Sequence, residues 1–511
     1  MNANFKGAHV AMSPHAFHIS KLAIVTFSVL FMGYYLFSRP EITQQDYHEI
    51  YRVAVSGKKA VFVEAVLGTE IDGPIDNSAL KELCKRKIWT PGLIFSCEAP
   101  QGGVGNVRNV FLNCVRYAIE AGGESALSPP TSARLVLITS KATAFVVSEI
   151  VSRGTTLETL HTNINVPFTY LFDLEHFKAS LSESCPQIHL IPHLNDLWDK
   201  PSTAKAIVLS PQDLTTHFEA DTVLAHPANW TQSFKKYLNA SHPTPFSASL
   251  PVLVSLHTPL LQFPLSYDDP SFVANFGKIL RFREDIRRLA GTTLYAMNKK
   301  HGIGMDPDLV GVHPGLFYGA HLRTAADAKA AGWTPYINQS VNYLSHANQH
   351  KLPVIYLTTG NEADAKRFTE DAASFNMSVS TKEELLAEKG FERELKEMKA
   401  LTWDQRGLID YEVLLRSSLF GGTHESSFSW NVAMRRHVVT GGGTWTTIED
   451  RSKLLPNKNR KEKELSKREE TGKEVPGLSG NFLAPQSFKD ELSVVFGPPD
   501  EGKMFELSMW P

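Results

Sequence analysis

Neither sign of charge prevails in this chain of 511 residues: 52 lysines and arginines stand against 54 aspartates and glutamates, a formal net charge of -2. Nucleic acid is bound through an excess of lysine and arginine, so this balance gives no electrostatic case for it as the main partner. Cysteine is scarce as well. The four that occur, Cys84, Cys97, Cys114 and Cys185, have no zinc-site spacing, and in an oxidising compartment they can pair in three ways. No repeat of 20 to 50 residues points to a solenoid. With 42% hydrophobic and 21% charged residues the chain is neither disordered nor collagenous.

Long apolar runs are missing too, with one exception. Leu22 to Ser38, LAIVTFSVLFMGYYLFS, carries no charge and is bracketed by Lys21 and Arg39. Its 17 residues lie at the short end of the spanning range of ~17 to 25 and suit thin bilayers of the early secretory pathway. The run is longer than a usual signal-peptide core and no Ala-x-Ala-like site follows, which favours a retained signal anchor. Lys6 and Lys21 precede it and mostly acids follow, placing the N-terminus in the cytosol and the rest in the lumen. The expectation is a single-pass type II protein of the Golgi or endoplasmic reticulum membrane. Sequons at Asn229, Asn239, Asn338 and Asn376 fit luminal exposure.

Length and patterning suit two domains with flanking segments. The reading is a cytosolic tail over 1–21, the anchor over 22–38 and a stem over 39–87. A first lobe follows over 88–300 and a second over 301–450. A charged loop over 451–474 leads to a segment, 475–511, that regains apolar residues and packs back on the core. The second lobe alternates strand and helix signals: LFYGAHLR, a helix near Tyr336 to His350, LPVIYLTTG, a helix from Glu362, MSVST and a helix from Lys382. After them come the helix DQRGLIDYEVLLRS, the strand SLFGG, the helix SFSWNVAMRRH and a strand HVVTG. That pattern is a doubly wound α/β lobe.

Three constellations can carry chemistry. GGVGNVRN, Gly102 to Asn109, is a glycine-rich turn entering a helix, where backbone N–H groups come close to an anionic or polar ligand. It is not G-x-G-x-x-G and has no Walker lysine, and a plain tight turn explains it equally well. GAHLRTAADA puts His321 and Arg323 at the end of an apolar strand, where open α/β sheets bind ligands, and two residues apart they share one side. A guanidinium there pairs bidentately with phosphate, unless it merely bridges to a helix carboxylate such as Asp327. In the third, Gly421, Gly422 and Thr423 leave a strand and Ser426 with Ser427 caps a helix starting near Phe428, a setting suited to a diphosphate.

In this order and spacing the three segments resemble the protein O-fucosyltransferase family of sugar-nucleotide-dependent glycosyltransferases. The family's GxxGN-type turn reads here Gly102-Gly103-Val104-Gly105-Asn106, its HLR strand His321-Leu322-Arg323, and its later Asp-to-SSF[ST] segment Asp410 with Ser426-Ser427-Phe428-Ser429. The resemblance spans roughly Gly102 to His437 and is faint between Ala126 and Val151. It implies an α/β fold of GT-B type, two Rossmann-like lobes facing a cleft, with GDP-fucose or a related GDP-sugar held mainly by the second. The acceptor, a protein or glycan hydroxyl, enters from the first.

By the same resemblance Arg323 holds the β-phosphate, and His321 and Asp410 contact the nucleoside, Asp410 accepting from guanine. Ser426, Ser427, Phe428, Ser429, Gly103 and Gly105 surround the donor, and Asn106 lies at the reacting centre. The implied chemistry is an inverting displacement with no cofactor and no metal. One branch of the family has a glutamate base in the glycine-rich turn. This chain has Asn106 there, so the acceptor proton leaves through water or to the donor phosphate, with Glu98 a nearby candidate base. The alternatives are a related transferase using another GDP-sugar, or a catalytically inactive, membrane-tethered nucleotide-sugar or glycan-binding protein with the same fold.

Overall fold

A computed structural model describes residues 57–122, 143–154, 162, 164–214, 224, 226–242, 245–441, 485–499 and 501–511. The run Leu22 to Ser38 and the charged loop 451–474 lie outside the described residues, and among those described no helix is long and apolar enough to cross a membrane. All elements below lie within the unit Phe62–Pro511.

The first lobe begins with α1 (Ser78–Arg86), β1 (Leu93–Cys97), α2 (Val104–Glu120), β2 (Thr143–Val146) and a two-stranded ribbon of β3 (Ile150–Val151) and β4 (Asn165–Val166). It continues with α3 (Leu174–Ser184), β5 (Ile188–Ile191), β6 (Ile207–Leu209), α4 (Pro227–Ser241), β7 (Val252–Leu256), α5 (Pro270–Phe276) and α6 (Glu284–His301). Its sheet runs β5-β2-β1-β7-β6, parallel throughout. At its centre β1, LIFSC, is buried at every position, as a strand covered on both faces must be.

The second lobe opens with β8 (Tyr318–His321), α7 (Ala326–Ala330), α8 (Tyr336–Gln349), β9 (Val354–Thr358), α9 (Glu362–Ala373), β10 (Ser378–Ser380) and α10 (Lys382–Leu386). After it come α11 (Glu392–Ala400), α12 (Trp403–Leu415), β11 (Leu419–Thr423), α13 (Ser427–Val439), β12 (Gln486–Lys489), β13 (Ser493–Phe496) and α14 (Lys503–Ser508). The sheet order is β10-β9-β8-β11-β13-β12, parallel except for β12 against β13. One expected element is corrected. HVVTG is no strand: His437 to Val439 form the last turn of α13, which ends where Gly441 takes φ +69°. β-Branched Val438 and Val439 gave a strand signal, but the place beside β11 belongs to β13, whose four residues are all buried.

In each sheet the chain fills one side of its first strand and then crosses to the other. The resulting topological switch points, β1 against β7 and β8 against β11, are where open α/β sheets bind ligands, outside the carboxyl ends of the strands. Both disulfides lie in the first lobe: Cys84–Cys185 closes a separation of 101 residues and Cys97–Cys114 one of 17. The second joins the end of β1 to the middle of α2 and so restrains the glycine-rich turn between them. Residues after α14 dock on that same helix, where Trp510 N–H donates to Asn109 Oδ1 at 2.8 Å and its indole N–H to Asn113 Oδ1 at 2.9 Å.

Candidate active site

Two helix N-termini meet where the lobes face each other. α2 follows Gly103, α13 follows Ser426, and neither has an acid in its first turn. Each brings about half a positive charge and N–H groups without intrahelical partners. Contact requires glycine: a Cβ on Gly105 would lie 2.5 Å from the Ser427 carbonyl oxygen. Gly102, at φ +100°, turns the chain into α2. Across the junction the Ser427 hydroxyl donates to Asn106 Oδ1. Ser426 caps α13, accepting from the Ser429 N–H at 3.4 Å.

β8 delivers the next groups. His321 is buried, its Nδ1 lies 2.8 Å from Ser429 Oγ and its ring packs on Phe428 at 4.6 Å. Burial, reinforced by the Arg323 charge, pushes the imidazole down to about 3, so it is neutral near pH 7. Arg323 pairs with Asp327 in the first turn of α7, and its guanidinium lies 5.3 Å from the Trp333 ring centre. Its backbone is fixed by Gln339, whose Oε1 accepts from the Arg323 N–H at 2.8 Å while Nε2 donates to the Arg323 carbonyl at 3.1 Å. The same Asp327 oxygen accepts from Arg153, which reaches over from the first lobe and lies on Trp403 at 5.3 Å. At the ends of β8 and β9 the hydroxyls of Thr324 and Thr358 are buried without a partner.

Gly103, Gly105, Asn106, Arg323, Ser426, Ser427 and Phe428 therefore gather around one seam, with His321 against its wall. Two expected donor contacts do not join them. Asp410 is spent elsewhere: Oδ1 accepts from the Tyr356 hydroxyl and Oδ2 from Lys382 Nζ, each at 2.7 Å, and its side chain is only 4% exposed. It ties α12 to β9 and α10, so in this structure both of its oxygens are engaged away from the seam. The Ser429 hydroxyl faces inward to His321 and the Thr423 N–H, fully buried, and orients the wall rather than facing the seam.

At the switch point of the first sheet, Glu98 Oε2 lies 2.6 Å from His257 Nδ1, both side chains about half exposed. Glu98 leaves β1 and His257 leaves β7. The sequence singled out Glu98 but gave no sign of its partner, 159 residues away. Among the described residues no group of three or more His, Cys, Asp or Glu side chains could hold a metal ion. Asp306-Pro307-Asp308 has the letters of a metal-binding D-x-D triplet, but Asp306 Oδ1 is taken by the Asp308 N–H at 3.0 Å in an exposed turn.

Two α/β lobes whose switch points meet at one seam are of GT-B-like build. The chain belongs to the GDP-fucose protein O-fucosyltransferase family, whose model matches residues 93–439, from the first residue of β1 to the last of α13. It is accordingly a fucosyltransferase of that family, which uses GDP-fucose as its donor. Among solved structures it is similar to POFUT1 in complex with GDP, at 12% identity and TM-score 0.36 over 68% of this chain and 94% of that one. It is similar to POFUT1 in complex with GDP-fucose at 13% identity and TM-score 0.36, over 68% and 94%. An arginine-to-lysine mutant of Arabidopsis thaliana FUT1 in complex with GDP matches at 12% identity and TM-score 0.33, over 71% and 73%. No curated protein sequence matches the chain.

Proposed function

We propose that this chain transfers fucose from GDP-fucose to a hydroxyl of a protein or glycan acceptor, with inversion and without a metal ion. The observation that carries the reading is the convergence of Arg323, Asn106 and two acid-free helix N-termini at the β8/β11 switch point. Breaking the anomeric C–O bond puts negative charge on the β-phosphate. A guanidinium and preorganised N–H donors are suited to take up that charge, the electrostatic kind of catalysis. On the acceptor side, the Glu98–His257 pair at the facing switch point supplies a base: His257 Nε2 accepts the acceptor proton while Glu98 steadies the imidazolium through Nδ1. His257→Asn should then depress transfer to acceptor by about a hundredfold while sparing slow donor hydrolysis by water. Equal loss of both rates would remove His257 from the acceptor side.

The reaction takes place in the lumen of the endoplasmic reticulum or Golgi, the chain tethered through Leu22–Ser38. The pairing of all four cysteines supports an oxidising compartment, and Asn239, Asn338 and Asn376 are exposed for glycosylation. Thermal denaturation with a panel of nucleotide sugars tests the donor. GDP-fucose at a hundred times its Kd should stabilise the protein by about 2.7 kcal/mol. Equal stabilisation by UDP- and ADP-sugars would defeat the reading.

A further inference from the structure

Arg153 belongs to none of the family motifs, and it stands just beyond β3 in the first lobe. It shares one carboxylate oxygen of Asp327 with Arg323, so two guanidinium groups meet on a single oxygen, while Asp404 accepts from the Arg153 backbone N–H. Its Nε is buried without a partner. Each guanidinium carbon lies over an indole, Arg153 over Trp403 and Arg323 over Trp333, both at 5.3 Å from the ring centre. An aromatic ring beneath a guanidinium attracts it and limits its freedom.

The backbone is placed with equal care. The Arg153 N–H donates to Asp404 Oδ2 at 3.4 Å, and Val151 N–H donates to the Pro100 carbonyl at 3.0 Å, so the ribbon rides on the glycine-rich turn. A Cβ on Gly103 would sit 3.2 Å from Arg153 Nη1. Arg153 thus lies along the turn that opens α2, beside the seam. A simple brace between the lobes would use all its guanidinium donors, whereas Arg153 leaves Nε without a partner and shares its one acceptor oxygen with Arg323.

We propose that Arg153 is a second phosphate-binding arginine, contributed by the first lobe, and that Asp327 holds the two guanidinium groups together until the donor's diphosphate replaces it between them. The proposal rests on the GDP-sugar reading of the seam. It makes the diphosphate the ligand that couples the lobes, since each lobe then grips it with its own arginine.

Titration calorimetry of the full chain with GDP and with guanosine tests this, because the ratio of the two affinities isolates the phosphate contribution. In Arg153→Gln the ratio should fall by about tenfold or more, with guanosine binding unchanged. Arg153→Lys, the milder change, should fall between, and decides alone should the glutamine variant not fold. Asp327→Asn should bind GDP as well as or better than the unaltered protein, since it removes a competing anion. A brace would instead lower the melting temperature and leave the GDP-to-guanosine ratio unchanged in both Arg153 variants, which overturns the proposal. A steep loss of GDP affinity in Asp327→Asn overturns it as well. Failure of the unaltered protein to bind GDP would defeat the donor reading itself, and this proposal with it.

Discussion

Two arginine clusters, each built around a helix, show how the same side chains serve scaffold and site. In the first lobe Arg116 donates to Asp268 through Nε at 2.8 Å and Nη2 at 2.6 Å, and to Glu120 through Nη1 at 2.8 Å, while Lys87 reaches Glu120 at 2.9 Å. Two cations meet two carboxylates, the side chains are 0 to 7% exposed, and every nitrogen of the guanidinium has a partner. Burial alone would raise the Glu120 carboxyl, but Arg116 and Lys87 outweigh it and bring it down to about 2. At the seam, Arg153 and Arg323 share a single oxygen of Asp327, with the three side chains 12 to 15% exposed, and Asp404 takes only the Arg153 backbone N–H. A balanced, closed cluster holds a fold together. An unbalanced one at a switch point is built for an anion that arrives from outside.

The largest effects should come from opening the closed clusters. Removing one partner of a buried pair leaves the other charge uncompensated, at a cost of about 3 to 5 kcal/mol. Arg116→Leu should lower the unfolding free energy extrapolated from urea titration by that amount, while the protein that stays folded keeps its kcat. Asp410→Asn belongs with it, because it would leave Lys382 without its main counter-charge. Its destabilisation should come without any change in the preference for GDP over UDP. A loss of guanine preference at unchanged stability would return Asp410 to the donor site.

Arg323→Lys should show the opposite profile, an unchanged melting temperature and a fall in kcat of about a hundredfold to a thousandfold. Lysine keeps the charge but loses the planar fork that grips two phosphate oxygens. Since Arg323 is bonded to Asp327, a purely structural pair would predict that the lysine variant keeps most activity and that Asp327→Asn hurts as much. GDP release by both variants, with circular dichroism as the control for folding, separates the two outcomes.

What the sequence revealed about this site follows from how far apart the interacting residues lie. Glycines at a turn, a strand ending in HLR and a serine pair before a helix answer local demands: φ +100° at Gly102, a carboxyl end at His321, an N-cap at Ser426. Such demands leave a mark on neighbouring letters. The partners of Asp410 were not legible, because Tyr356 and Lys382 lie 54 and 28 residues away and only the fold brings them to its carboxylate. Arg153 was invisible for the same reason, with Asp327 174 residues downstream. The α/β alternation of the second lobe was legible through periodicity. The place of β13 beside β11 was not, because the chain reaches it only after the long segment 442–484.

The smallest effect expected is a pH dependence that sets His346 apart from the carboxylates. His346 lies on α8, 3.2 Å from the Tyr318 hydroxyl, and burial, with His350 and Lys489 adding repulsion, pushes its imidazole down to about 3. An unfolded histidine titrates near 6.5. Because the folded value is the lower one, the unfolded chain binds more protons, and stability is full above about pH 6.5 and lost as pH falls toward 3. At pH 5 one such imidazole removes about 2 kcal/mol relative to pH 7, taking 1.36 kcal/mol for each pH unit below 6.5. Buried His321 follows the same sign, whereas Glu120 and Asp327, held low by their cations, contribute their losses at more acid pH. Urea midpoints of the unaltered protein and His346→Gln should therefore diverge between pH 7 and 5, the variant keeping the shallower slope. Parallel curves over that window would show that His346 takes up its proton in the folded state as readily as in the unfolded one, and that the Tyr318 contact survives a charged imidazole.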